Sequence, residues 1–259
     1  MQEKKFLIIG NWKMHGSIKE NENFLESLFS RLESLNNGIN CGIAVPYPYL
    51  FQFSSRLFLP NFSLGAQSVS KHAVMGAFTG EVNAKMISEF GCSFSIVGHS
   101  ERRSFFQESD DDVGYKVLSL LDLGILPIIC VGESHEIRDS GKAFTYVENQ
   151  INHIVKIIGI NKFKQCTLAY EPIWAIGTGN TASSEEVQLM QSSIRGLCVK
   201  HVGSNAAQNM DLIYGGSVKP SNVKSFLQQS DIDGVLVGGA SIDVVDFIKI
   251  LDTAENLLN

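Results

Sequence analysis

The run Thr167-Leu-Ala-Tyr-Glu-Pro-Ile-Trp-Ala-Ile-Gly-Thr-Gly179 begins as a buried strand and ends as a loop. Thr167–Tyr170 is short and mostly apolar, Ser183–Val202 after it has helical periodicity, and Asp211–Tyr214 is a second short run. Strand, crossover helix and strand in that order form a parallel β–α–β unit with a right-handed connection. Working outward, the alternation continues in both directions. Phe6–Gly10, Gly42–Val45, Phe62–Ala66, Phe94–Val97, Leu126–Val131 and Gly234–Val237 bring the candidate strands to eight. Each is bounded by Gly, Pro or polar residues. Short runs that are apolar on both faces suit a parallel sheet covered on both sides.

The intervening segments read as helices. Ser17–Leu35 places Ile18, Leu25, Leu28, Leu32 and Leu35 on one side, and Ser134–Ile158 and Asp243–Leu258 are also periodic. Ser183 and Glu186 have the spacing of a capping box, which satisfies free N–H groups of a first helical turn. No linker or low-complexity tract interrupts the 259 residues. The expectation is an α/β protein made of one catalytic domain, residues 1–259, folded as a closed (β/α)8 TIM barrel. An open doubly wound sheet usually carries a Gly-rich nucleotide turn after its first strand. Gly10-Asn-Trp-Lys13 does not match that turn.

Composition narrows the function. Hydrophobic residues make up 44% and charged residues 19%, enough for a large core. The net charge of −6 and the lack of a basic run disfavour nucleic acid and acidic membranes as partners. An anionic ligand would need a local device to overcome that field. Five widely spaced cysteines without a C-x-x-C motif read as reduced thiols in a cytoplasmic protein. The N-terminus has no signal-peptide pattern, no stretch is long enough to cross a bilayer, and the histidines show no metal-ligand spacing.

In such a barrel the chemistry sits at the carboxyl ends of the strands. Five of those ends carry polar or glycine-rich groups: Asn11 and Lys13; His99, Ser100 and Glu101; Glu171; Gly215-Gly-Ser217; and Gly238-Gly-Ala-Ser241. Pro172 biases Glu171 toward extended backbone, which keeps its carboxylate at the strand tip as a candidate general base. Ile173, Trp174, Ala175 and Ile176 are too apolar for an ordinary exposed loop. Flanked by Pro172 and by Gly177-Thr178-Gly179, they suit a lid that excludes water. The plain alternative is a Glu171 surface ion pair beside a core-packed Trp174. His99 follows a strand and opens a polar, helix-like turn, where the helix dipole favours a neutral ring. Lys13 is a cation at the barrel mouth, though a solvated surface lysine is that residue's commonest fate. The two Gly-Gly turns can aim backbone N–H groups at a phosphate. The long connection from Gln67 to Glu81 carries Val74, Met75 and Phe78, and reads as inserting into a partner subunit or as a self-packed Ω-loop.

Taken together, the motifs resemble the triosephosphate isomerase family. The matching stretches are Gly10-Asn-Trp-Lys-Met14, Gly76-Ala-Phe-Thr-Gly-Glu81, Val97-Gly-His-Ser-Glu-Arg-Arg103, Ala169-Tyr-Glu-Pro-Ile-Trp-Ala-Ile-Gly-Thr-Gly179, Tyr214-Gly-Gly-Ser-Val218 and Leu236-Val-Gly-Gly-Ala-Ser241. The resemblance implies reversible interconversion of dihydroxyacetone phosphate and D-glyceraldehyde 3-phosphate, a step of glycolysis and gluconeogenesis, without metal or organic cofactor. It implies Glu171 as base, His99 as neutral electrophile, and Asn11 and Lys13 as substrate-binding and enediolate-stabilising groups. It implies phosphate contacts from Gly177, Ser217, Gly238 and Gly239, with Ser100 and Glu101 in support. It also implies a homodimer through the 67–81 loop, with Met14, Phe78 and Thr79 at the contact. The chain departs from the family pattern at His15, where asparagine is common, and in Gln67-Ser-Val-Ser-Lys-His-Ala73. Two other readings stand beside this one. Another sugar-phosphate barrel enzyme would lack the Asn11, Lys13, His99 and Glu171 set, and a non-catalytic scaffold would have lost one of its members.

Overall fold

The computed structural model describes residues 4–55, 61–175 and 182–258. Eight parallel strands close into a barrel in sequence order: β1 Phe6–Asn11, β2 Ile39–Val45, β3 Phe62–Ala66, β4 Phe94–Val97, β5 Leu126–Val131, β6 Thr167–Tyr170, β7 Leu212–Tyr214 and β8 Gly234–Val237. Pairing of Leu7–Gly10 with Gly234–Val237 closes the cylinder. The barrel expectation therefore holds, with β1 and β2 longer, and β7 one residue shorter, than their apolar runs.

Two cores follow from the period-2 geometry of strands. Inside the barrel lie Ile9, Ala44, Phe94, Ile96, Ile128, Cys130, Ala169, Ile213 and Leu236. Phe94 fills the space left by two glycines: a Cβ on Gly65 would lie 2.2 Å from its ring, and one on Gly42 2.7 Å. The opposite strand faces meet the helix layer in the larger core, with Leu25, Leu28, Val117, Ile151, Ile194 and Phe247 among its members.

The helices begin where the caps place them. Ser17 caps Ile18–Leu32, and Asp243 caps Val244–Asn256. Ser183 and Glu186 form the reciprocal capping box of Ser184–Val202. The segment Ser134–Ile158, expected as one helix, is two: His135–Asp139 and Ala143–Ile158. The break falls at Gly141, whose φ of 71° is left-handed and incompatible with helix continuation.

Candidate active site

Alternation carries the inward face of each strand to the barrel mouth. Ile9 is inward, so Asn11 is too; Ala169 leads to Glu171, Ile213 to Gly215 and Leu236 to Gly238. His99 breaks that parity, since Phe94 and Ile96 predict an outward side chain. Gly98, at φ 70°, supplies the left-handed step that turns His99 inward. These residues line one cavity of about 720 Å³ together with Lys13, Gly216, Ser217, Lys219, Gly239 and Asp246.

Glu171 is 1% exposed. Its Oε2 accepts the Ser100 N–H at 2.9 Å. Its Oε1 has no hydrogen-bond partner among the described residues, yet lies 3.2 Å from His99 Nε2. The backbone here is as close-fitted as the side chain: a Cβ on Gly132 would lie 1.8 Å from the Glu171 carbonyl oxygen, and one on Gly215 2.8 Å from Glu171 Cγ. Cys130 packs beneath the carboxylate. Burial, then the Glu171 charge, raise its thiol well above the usual range, so it stays protonated.

His99 is the N-cap of the helix Ser100–Phe106, and its Nδ1 accepts the Glu101 N–H at 3.2 Å. A ring nitrogen that accepts a backbone donor carries no proton. The ring is therefore a neutral tautomer with its proton on Nε2, the nitrogen facing Glu171. One short helix thus holds both partners, since the next peptide N–H, that of Ser100, grips Glu171.

Lys13 stands on the other side of the mouth. Its Nζ contacts Glu101 Oε1 at 2.5 Å, so the cation is paired rather than free. Its backbone N–H donates to Asn11 Oδ1 at 3.0 Å. At the far end, Gly239–Ser241 forms a single 3-10 turn after β8. The N–H groups of a first turn have no partner within it and remain available to a ligand.

Of the expected lid, Pro172–Ala175 is described, while Ile176, Gly177, Thr178 and Gly179 lie outside the described residues. Ile173–Ala175 is a 3-10 turn. Trp174 Nε1 donates to Glu133 Oε1 at 2.8 Å, Tyr170 OH donates to the same oxygen at 3.0 Å, and Arg138 lies over the Trp174 ring at 4.0 Å. Trp174 is thus tethered to a buried carboxylate while its ring packs, half-buried, against the apolar core. Glu133 was not among the expected site residues, although it stands two residues beyond β5, a strand end that the reading passed over. Met14, Phe78 and Thr79 are exposed and do not line this cavity.

A family model described as triosephosphate isomerase matches residues 6–254. The chain belongs to the triosephosphate isomerase family. A protein of Thiobacillus denitrificans named triosephosphate isomerase is 44% identical over 251 residues, covering 97% of this chain and 99% of that protein. One of Ralstonia nicotianae is 42% identical over 250 residues, covering 96% and 99%, and one of Cupriavidus necator is 42% identical over 244 residues, covering 94% and 97%. Both carry the same name. Among the described residues no helix is long and apolar enough to cross a membrane, and no His, Cys, Asp or Glu cluster could hold a metal ion.

Proposed function

We propose that this cavity interconverts dihydroxyacetone phosphate and D-glyceraldehyde 3-phosphate through an enediolate, with Glu171 as the base. The observation that carries the assignment is the buried Glu171 carboxylate, whose Oε1 lies 3.2 Å from the protonated Nε2 of a neutral His99 in the shared cavity. Glu171 removes a proton from the carbon beside the carbonyl and returns it to the adjacent carbon. His99 donates its Nε2 hydrogen toward the substrate oxygens and passes the proton between them. Lys13 and Asn11 stabilise the negative oxygen as it forms, the kind of directed electrostatic assistance that lowers such barriers most. Ser217, Gly238 and Gly239 hold the phosphate. Covering the cavity excludes water and protects the enediolate from losing phosphate. The reaction belongs to glycolysis and gluconeogenesis, and the cytoplasm is where five buried thiols stay reduced.

The same reading makes the enzyme a homodimer. Met14 is 94% exposed, Val74 74% and Met75 72%, an apolar display that a monomer rarely leaves to water. Beside it, a hollow of about 290 Å³ lined by Met14, Tyr47, Gln67, Glu101 and Phe106 reaches Lys13 and His99. It offers room for the tip of a partner's 67–81 loop, where Phe78 and Thr79 lie. Sedimentation velocity should give twice the chain mass; a monomer at assay concentration overturns the dimer. A coupled assay with D-glyceraldehyde 3-phosphate tests the activity, and pure folded protein that forms no ketone overturns it.

A further inference from the structure

Lys13 has a backbone conformation that its side chain does not favour. Its φ is 51°, and among the described residues only Gln107 is another non-glycine with positive φ. Left-handed backbone is sterically costly for a residue with a Cβ and persists where neighbours hold it. At Lys13 two side chains do so. Asn11 Oδ1 accepts the Lys13 N–H at 3.0 Å. Gln67 Nε2 donates to the Lys13 carbonyl at 2.8 Å and to the Ala44 carbonyl at 3.1 Å. The Ala44 carbonyl also accepts the Trp12 N–H at 3.1 Å. Both hydrogens of one amide thus tie the chain leaving β1 to the end of β2.

We propose that Gln67 is the positioning residue for Lys13. It holds the left-handed turn that directs the ammonium into the cavity. The proposal rests on the reading of Lys13 as the substrate-binding cation. Gln67 does not line the catalytic cavity; it lines the neighbouring hollow, so it touches no substrate. Its reach into the site is through the Lys13 peptide. The Lys13 side chain runs past the neighbouring β8, where a Cβ on Gly238 would lie 3.6 Å from Lys13 Cε, and its Nζ reaches Glu101 beyond β4. Return of Lys13 to negative φ would swing the side chain out of that path. The Asn11 tether alone cannot prevent it, because it holds only the N–H side of the residue.

The test is Gln67→Met, which keeps side-chain length and removes both donors, measured with D-glyceraldehyde 3-phosphate. We expect kcat/KM to fall about 10-fold or more, since displacement of a binding group by an ångström has effects up to that order and beyond. The loss should divide between a raised KM and a lowered kcat, because the cation serves both the bound substrate and the enediolate. It should be the same at every enzyme concentration. Values of kcat and KM within about twofold of the parent, per folded enzyme, overturn the proposal. So does activity that recovers as enzyme concentration rises, which would mean that Gln67 acts through subunit assembly. If Gln67→Met fails to fold, Gln67→Glu replaces the donors by an acceptor of the same shape and carries the same expectation. Lys13→Ala, run in parallel, separates the two ideas: full activity there removes Lys13 from the mechanism whatever Gln67 does.

Discussion

Glu171→Asp removes one methylene and leaves the charge. Shortening by one carbon–carbon bond retracts the carboxylate by about 1 Å. The Oε2 contact with the Ser100 N–H is 2.9 Å, so the shorter side chain stands roughly 4 Å away, beyond hydrogen-bond range. The backbone cannot follow to restore it, because Gly132 already sits against the Glu171 carbonyl with no room for a Cβ. A base held about 1 Å from its working position loses on the order of 100-fold in rate. That corresponds to about 2.7 kcal/mol of barrier. The proposed function assigns substrate binding to Lys13 and the phosphate end, so KM should change by no more than about threefold. Initial rates of aldehyde-to-ketone conversion, coupled to NADH oxidation, measure both quantities. A kcat within about threefold of the parent would show that the position of this carboxylate does not limit proton transfer, and the base assignment would be wrong.

Three further outcomes follow from contacts elsewhere. Lys13→Ala should nearly abolish turnover while the thermal unfolding curve stays close to the parent's, because Lys13 packs against no core; a rate within about tenfold of the parent refutes its role. Gly132→Ala places a Cβ 1.8 Å from the Glu171 carbonyl oxygen, and overpacking of this kind costs about 1–3 kcal/mol. It should lower the Tm and kcat together, and an unchanged kcat at reduced Tm would separate the strand spacing from catalysis. Asp211 keeps an exposed face, but partial desolvation and then the Asp233 charge, against Arg195, push its carboxyl up to about 6. A carboxyl whose folded pKa lies above its unfolded value favours the folded state while protonated, so its contribution is lost as pH rises through about 6. Asp211→Asn should therefore raise the Tm at pH 7–8 by more than at pH 4; the opposite order, read by calorimetry, contradicts the assignment.

The barrel was legible because its strands are buried on both faces and so lack the polar alternation that blurs boundaries. Five strands, Phe62–Ala66, Phe94–Val97, Leu126–Val131, Thr167–Tyr170 and Gly234–Val237, match their apolar runs residue for residue. The capping box did the same for the helix start at Ser183, and the helices expected from Ser17 and Asp243 begin one residue further on, with those two residues as their caps. The break at Gly141 was not legible, since apolar periodicity resumes on its far side and hides one left-handed residue. Asn11, Lys13 and Glu171 could be read because each stands at or just beyond the end of a strand whose inward parity is fixed by the core, whereas His99 lies out of that parity and was read from the polar turn it opens. Their supports could not. Gln67 meets Lys13 across 54 residues of chain, and Trp174 meets Glu133 across 41. No local pattern records such a pairing; it exists only once the barrel has closed.

Those supports also answer how a protein of net charge −6 can recruit an anion. The cavity wall is not a positive field. Lys13 is neutralised in part by Glu101 at 2.5 Å, Glu171 and Asp246 add negative charge, and Lys219 is exposed at the rim. Beyond a Debye length of about 8 Å in physiological salt, a substrate phosphate senses little of any one of these groups. Attraction must then come at contact distance, from groups whose direction is fixed in advance: an ammonium aimed by a constrained backbone turn, peptide N–H groups of a 3-10 turn, and an imidazole N–H whose tautomer is fixed by Glu101. Orientation replaces net charge as the source of affinity. Such a site tolerates an acidic exterior, but it depends on its supports. A change that leaves every charge in place and loosens one hydrogen bond, as at Gln67 or Gly132, should harm it more than the removal of a surface lysine.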